Sequence, residues 1–173
     1  TKGHKDLIDA IVPLMASRPK LHLVFVGGGS PVFEQTQDYV ATLGLQDRIH
    51  LMGMRRDVPN LLAGFDVFAL ATQQEASGTV YVEAQASGLP VIGTDVGGVS
   101  EMFRNGETGI LVPPKNPQAL TEALQRLIDD PALRRRMGDA GRKMVWEEAV
   151  FSPARLAETT EAVYWKWLAE RAG

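Results

Sequence analysis

Cysteine is absent from this 173-residue chain, which excludes disulfides and thiolate catalysis and fits a cytosolic protein. Histidine is nearly absent too. His4, His22 and His50 lie far apart in sequence, none at metal-ligand spacing from another, so no metal site is expected. No apolar run approaches the roughly 18 residues that a membrane-spanning helix needs. A signal peptide is not visible, and the opening Thr1-Lys2-Gly3 reads as an internal start. There is no excess of positive charge: the formal net charge is −3, which leaves no electrostatic footprint for nucleic acid. What is present is ordinary for a globular chain. Apolar residues make up 45%, and the length suits one domain with a sizeable core.

Apolar periodicity alternates between the helical and the extended pattern along the chain. The spacing of Leu7, Ile8, Ile11, Leu14 and Met15 predicts a helix from about Asp6 to Ser17. Leu21–Val26 reads as a short strand. Ser30-Pro31 is a good helix start and Gly44 a stop, so a helix should run to Leu43. Strands are expected at Ile49–Met52, Val67–Ala71, Val91–Gly93 and Ile110–Val112, with a short helix over Asp57–Ala63. After Pro117 three helices follow: Gln118–Ile128, Ala132–Trp146 and Pro153–Arg171. Strands alternating with helices imply an α/β fold, a doubly wound parallel sheet with helices on both faces. Such sheets bind ligands at the carboxyl ends of their strands.

The stretch from Gln74 to Gly98 is the richest in chemistry. It carries Glu75 in a small-residue loop and Glu83 on a short helix closed by Ser87-Gly88-Leu89-Pro90. A strand from Val91 and the pair Gly97-Gly98 follow. A strand tip, a small-residue loop and a helix N-terminus suit a phosphate group, because free N–H groups and the helix dipole both favour an anion. A carboxylate one turn into that helix leans back toward its N-terminus, where it can accept hydrogen bonds from ligand hydroxyls. Phosphate on the backbone and hydroxyls on carboxylates together suggest a nucleotide-sugar.

This stretch resembles the donor-binding half of the retaining nucleotide-sugar glycosyltransferases of family four, which have the GT-B fold. The family pattern is matched by Glu75, Glu83-Ala84, Gly88-Leu89-Pro90-Val91 and Gly97-Gly98. Lys2-Gly3, Leu23–Gly29, Ile49–Gly53 and Gly106–Pro113 resemble further family blocks in the right order, so the resemblance covers nearly the whole chain. It implies that residues 1–173 form the C-terminal, donor-binding half of a GT-B fold, with C-terminal helices over about 118–171 and the N-terminal acceptor domain absent. It also implies one more strand immediately before Lys2. In a 3-2-1-4-5-6 order that strand would be central. Either the chain begins inside the domain or the sheet closes some other way.

The resemblance assigns roles residue by residue. The position matching Glu75 binds donor-sugar hydroxyls near the reacting carbon, and Glu75 is the one residue expected to act in catalysis. Glu83 matches the ribose ligand. The backbone N–H groups of Gly78, Thr79 and Val80 match those that hold the diphosphate, and Lys2 matches a diphosphate lysine. Met54 and Arg55 follow the glycine whose neighbours meet the nucleotide base. Ser77 departs from the aromatic that many members carry, which leaves donor identity open. The substrate implied is a nucleotide diphosphate sugar, with no cofactor and no metal.

Each feature also has a plainer reading. Glu75 and Glu83, taken singly, could be solvated carboxylates. Lys2 could be a surface lysine at a frayed end. Met54 and Arg55 could belong to an ordinary turn. Gly27-Gly28-Gly29 fails the dinucleotide pattern because Val32 stands where a glycine is needed; a turn that lets strand and helix pack closely is favoured over ligand contact. Arg134-Arg135-Arg136 with Arg142 and Lys143 could dock at an anionic membrane face, making the protein peripheral there. A solvated helix face balanced by Asp129, Asp130 and Asp139 is the commoner outcome. Leu156, Thr160, Val163, Tyr164, Trp167 and Leu168 form a helical stripe whose plainer reading is core packing; the resemblance implies that the C-terminal helix crosses back to the N-terminal half, whose absence would leave part of the stripe exposed around Val163, Tyr164, Trp167 or Leu168. Two other functions remain open: a GT-B nucleotide-sugar epimerase, and a non-catalytic nucleotide-sugar binding module.

Overall fold

The computed structural model describes residues 2–28 and 31–171, the side chains of residues 168, 169 and 171 excepted. Its elements in chain order are α1 (His4–Met15), β1 (Leu23–Phe25), α2 (Pro31–Thr42), β2 (Ile49–Leu51), α3 (Val58–Leu62), β3 (Phe68–Leu70), α4 (Thr79–Ala86), β4 (Val91–Thr94), a 3-10 turn (Val99–Glu101), β5 (Gly109–Val112), α5 (Pro117–Asp129), α6 (Pro131–Trp146) and α7 (Pro153–Arg171). The elements expected from sequence are present, with ends moved by one or two residues, as helix and strand termini commonly are. The 3-10 turn was not foreseen. The expected Ser30 cap lies outside the described residues.

Local chemistry sets the sharper boundaries. Asn116 opens α5 by accepting a hydrogen bond from the Ala119 N–H at 3.0 Å. Asp130 does the same for α6 from the Leu133 N–H at 2.9 Å. Proline follows each cap at the first helical position, where its missing N–H costs nothing. Arg134 turns back and donates to the carbonyls of Leu127 and Ile128 at 2.7 and 2.8 Å, satisfying the end of α5. One arginine of the basic cluster is thus used inside the fold. None of the described helices is long and apolar enough to cross a membrane.

All strand pairs are parallel. β1 pairs with β2, and β3-β4-β5 form a separate triplet. Removing the first strand from a 3-2-1-4-5-6 order leaves a pair and a triplet of this kind. Among the described residues the strands form two groups, and the break between them falls where the resemblance puts a central strand. Helix α1 spans the split. Its Leu7, Ile8, Ile11 and Leu14 belong to one core with Phe25 and Leu51 of the pair and Ala69 and Ile92 of the triplet.

Period-two alternation then divides the two faces. Ala69, Ile92 and Ile110 face the core built with α1 and α5. Phe68, Leu70, Val91 and Leu111 face a second core with Leu62 of α3 and Tyr81 and Ala84 of α4. Helices on both faces make the domain doubly wound, and parallel strands bring their carboxyl ends to one edge of each group.

Two details position α4. A Cβ on Gly138 would lie 2.1 Å from the Gly88 carbonyl oxygen, and one on Gly141 would lie 3.0 Å from the Gln85 side chain. Two glycines on one face of α6 thus let it approach the far end of α4 closely. Gln85, fully buried, donates to the Met102 carbonyl at 2.8 Å and so ties α4 to the chain after the 3-10 turn. By contrast, α7 stands apart: residues 153–167 are all exposed.

Candidate functional site

The site lies where β3 ends and α4 begins. Gly78 caps α4 in the left-handed conformation, φ 64° and ψ 44°, with no side-chain cap bond. The first amides of a helix have no intrahelical acceptor. With no capping side chain to take them, the N–H groups of Thr79 and Val80, both exposed, are left for solvent or an anion. Gly78 is required here twice over. Its φ suits glycine, and an added Cβ would fall 2.9 Å from the Tyr81 ring and 3.3 Å from Glu75 Cγ.

The preceding loop is held by three glycines from two other segments. A Cβ on Gly3 would meet the Ala71 carbonyl oxygen at 1.8 Å, one on Gly97 the Glu75 carbonyl oxygen at 1.9 Å, and one on Gly98 the Ala76 carbonyl oxygen at 2.5 Å. Thr72 adds a hydrogen bond to the Gln74 carbonyl at 2.8 Å, and Thr94 of β4 donates to the Thr72 carbonyl. The loop backbone is therefore fixed by close contact on several sides.

Lys2 and Glu75 are brought together, although 73 residues separate them. Lys2 Nζ lies 2.5 Å from Glu75 Oε2. The glutamate side chain is 13% exposed and the lysine side chain 54%. Glu83, in the second turn of α4, is exposed and makes no hydrogen bond or ion pair with its carboxylate among the described residues. The sequence-derived set Lys2, Glu75, Gly78, Thr79, Val80 and Glu83 thus falls on one loop and the two helix starts beside it.

Met54 and Arg55 lie elsewhere, at the end of β2. Gly53 turns with φ 64°, and Gly27 bridges to it. A Cβ on Gly28 would sit 3.3 Å from Gly53 Cα and 3.4 Å from the Met54 nitrogen. Gly28 thus lets the ends of β1 and β2 approach closely, while Gly27 bonds Gly53 through its backbone with open space around it; the contact is between strand ends and not the strand–helix packing favoured from sequence. Gly29 lies outside the described residues. Met54 is 77% exposed. Arg55 is held by Asp57 through two bonds of 2.8 and 2.6 Å, so its side chain is engaged locally. The start of α1 touches both strand groups: the His4 ring lies tilted at 5.1 Å from Phe25 of β1, while Gly3 presses on Ala71 after β3.

Sequence reasoning passed over Tyr81. It is fully buried, its ring lies edge-on to Phe68 at 5.5 Å, and its hydroxyl donates to the Leu70 carbonyl at 3.1 Å. Burial, and secondarily the charge of Glu75, pushes its phenol pKa up, so it stays a neutral donor. Tyr81 supports Gly78 from below. An aromatic three residues after a loop glycine was the available signal. Sequence spacing also hid a histidine pair. Two of them do meet: His22 Nδ1 lies 3.1 Å from His50 Nε2, because β1 and β2 are neighbours. Among the described residues no three metal-ligating side chains cluster.

A parallel sheet wound on both faces, with a glycine-held loop and an uncapped helix start at its carboxyl edge, is the C-terminal half of a GT-B fold. Solved structures share it. A glycosyltransferase from Rickettsia africae superposes with a TM-score of 0.83 at 29% identity, over 96% of this chain and 45% of that one. The C-terminal domain of a glycosyl transferase group 1 family protein from Francisella tularensis gives 0.76 at 28%, over 84% and 78%. The family model for glycosyl transferases group 1 matches residues 1–144, and this chain belongs to that family. Among curated relatives, an N-acetyl-alpha-D-glucosaminyl L-malate synthase from Bacillus anthracis is 31% identical over 95% of this chain and 42% of its own length. A D-inositol 3-phosphate glycosyltransferase from Corynebacterium diphtheriae is 32% identical over 94% and 39%. The chain thus spans about two fifths of these relatives.

Proposed function

We propose that this chain is the donor-binding half of a retaining glycosyltransferase that moves a sugar from a nucleotide diphosphate sugar to an acceptor. The observation that carries this reading is the meeting of one lysine, one nearly buried carboxylate and the uncapped start of α4 on a loop held by glycines. A relative supports it: the Anabaena protein HepE, 28% identical with a TM-score of 0.78, was crystallised with UDP.

In this reading the Thr79 and Val80 amides, at the positive end of α4, face the diphosphate with Lys2. They meet the negative charge that grows on it as the sugar departs, and preorganised donors of that kind supply most of what such a reaction needs. Glu75 takes sugar hydroxyls. Glu83, one turn further along α4, takes the ribose hydroxyls. The Met54 backbone borders the base. The N-terminal half of the enzyme would supply the acceptor site.

Glu83 gives the direct test. A hydrogen bond to a charged group contributes about 1.5–3 kcal/mol, so Glu83→Ala weakens nucleoside diphosphate binding about 10- to 150-fold. Calorimetry across UDP, GDP and ADP reads this. Unchanged affinity in a folded variant removes Glu83 from the site.

A further inference from the structure

We infer that Lys2 and Glu75 act as a charge-exchange latch. With the site empty they neutralise each other, and a diphosphate takes Lys2 away and so releases the Glu75 carboxylate for hydroxyl groups. The inference rests on the donor-site reading above and adds to it an order of events and a coupling between two halves of one ligand.

The geometry decides which partner moves. The backbone of Glu75 is pinned, since Gly97 leaves no more room than a hydrogen requires beside its carbonyl oxygen. Its Cγ rests near Gly78, and Tyr81 fills the space beneath. The carboxylate side chain is 13% exposed. Lys2 is the opposite: its side chain is 54% exposed, and a lysine stem is long and flexible. Opening the pair therefore means swinging Lys2, while Glu75 stays in place.

Charge decides the direction. A carboxylate offers one negative charge; a diphosphate at the start of α4 offers more, together with the Thr79 and Val80 amides as fellow donors. Lys2 is the cation already seated on the Glu75 loop, whereas the Arg55 guanidinium is held in two bonds by Asp57. Once Lys2 turns to the phosphates, Glu75 is a nearly buried carboxylate without its cation. An unpaired carboxylate in that setting is costly. Donor hydroxyls are the groups that remove the cost. A bare nucleoside diphosphate breaks the pair and supplies no hydroxyl at that position, so it binds against the latch. A nucleotide-sugar breaks the pair and satisfies what it releases. Lys2 is thus a positioning residue for Glu75 in the empty site and a phosphate ligand in the filled one.

A thermodynamic cycle tests this on the 173-residue chain. UDP, GDP and ADP are titrated calorimetrically, and the variants are measured with the one held most tightly. Glu75→Gln keeps the shape and removes the charge that competes for Lys2. It should bind the nucleoside diphosphate about two- to fivefold more tightly than wild type, the range expected of an ion pair with one exposed partner. In the Lys2→Met background the same change should do nothing. Thermal melts confirm that all four proteins are folded. Unchanged or weaker binding by Glu75→Gln overturns the latch. Equal tightening with and without Lys2 also overturns it, because that is general repulsion between Glu75 and phosphate. If wild type holds none of the three nucleotides, the donor-site reading itself falls, and the latch with it.

Discussion

At the scale of single residues, the end of α1 nearest the site depends on a neutral imidazole. His4 Nδ1 is buried without a hydrogen-bond partner among the described residues, and the ring packs at a tilt against Phe25. Burial lowers its pKa below the ordinary 6.5. The folded state therefore favours the neutral ring, and the unfolded chain takes up the proton first as pH falls. The stabilisation is complete above pH 6.5 and is lost as pH drops through the lower folded-state value. Melting temperature should fall between about pH 7.5 and about pH 5.5, and His4→Leu should flatten that slope. Equal slopes in the two proteins would mean that His4 titrates as freely folded as unfolded. The neighbouring ion pair shows a different limit of residue-scale reading. Lys2 and Glu75 were both nominated from sequence, but nothing local to either one announces that they touch. Their meeting requires α1 to start beside the end of β3.

At the scale of elements, α6 governs where α4 sits. The Gly88 carbonyl would lie 2.1 Å from a Cβ on Gly138, a backbone contact that cannot swing aside, whereas Gly141 faces the Gln85 side chain at 3.0 Å. Overpacking costs about 1–3 kcal/mol, against a helix-propensity gain of about 1 kcal/mol for replacing glycine. Gly138→Ala should therefore lower the melting temperature by several degrees, and Gly141→Ala by less. The reverse order, measured by calorimetric melts, would show that α6 has slack against Gly88 and does not set the position of α4. The helices themselves were legible because their signals are local: Asn116-Pro117 and Asp130-Pro131 mark two starts, and apolar spacing marks the buried face of α1. α4 was harder. Tyr81, Ala84 and Gln85 are all buried, so a polar residue sits where an apolar one would carry the pattern. The Gln85 bond to Met102 and the Tyr81 bond to Leu70 are tertiary, and periodicity carries no trace of them. The grouping of the strands into a pair and a triplet was not legible, since pairing depends on which strands become neighbours.

At the scale of the whole molecule, α7 and the site fare differently. All described residues of α7 from Pro153 to Trp167 are exposed, with Leu156 at 69%, Val163 at 67% and Tyr164 at 63%. A helix that buries none of these side chains adds little to the fold, so truncation after Ser152 should leave the melting temperature of the rest nearly unchanged. A large fall would show that α7 stabilises the domain through contacts not visible in its exposure. The same separation bears on activity. This chain spans 42% and 39% of two curated relatives, and transfer needs donor and acceptor held together, where orientation alone supplies about 7–11 kcal/mol of the barrier. A fixed loop, a lysine and an uncapped helix form the one site described above. The 173-residue chain should bind a nucleoside diphosphate yet show no donor-dependent glycosylation of a mixed acceptor panel. Adding a partner half from a family member, expressed separately, should restore measurable turnover if the two halves can associate. Glycosylation by the chain alone at rates of about 1 per second or more, the ordinary range for enzymes, would show that a complete acceptor site exists on this domain.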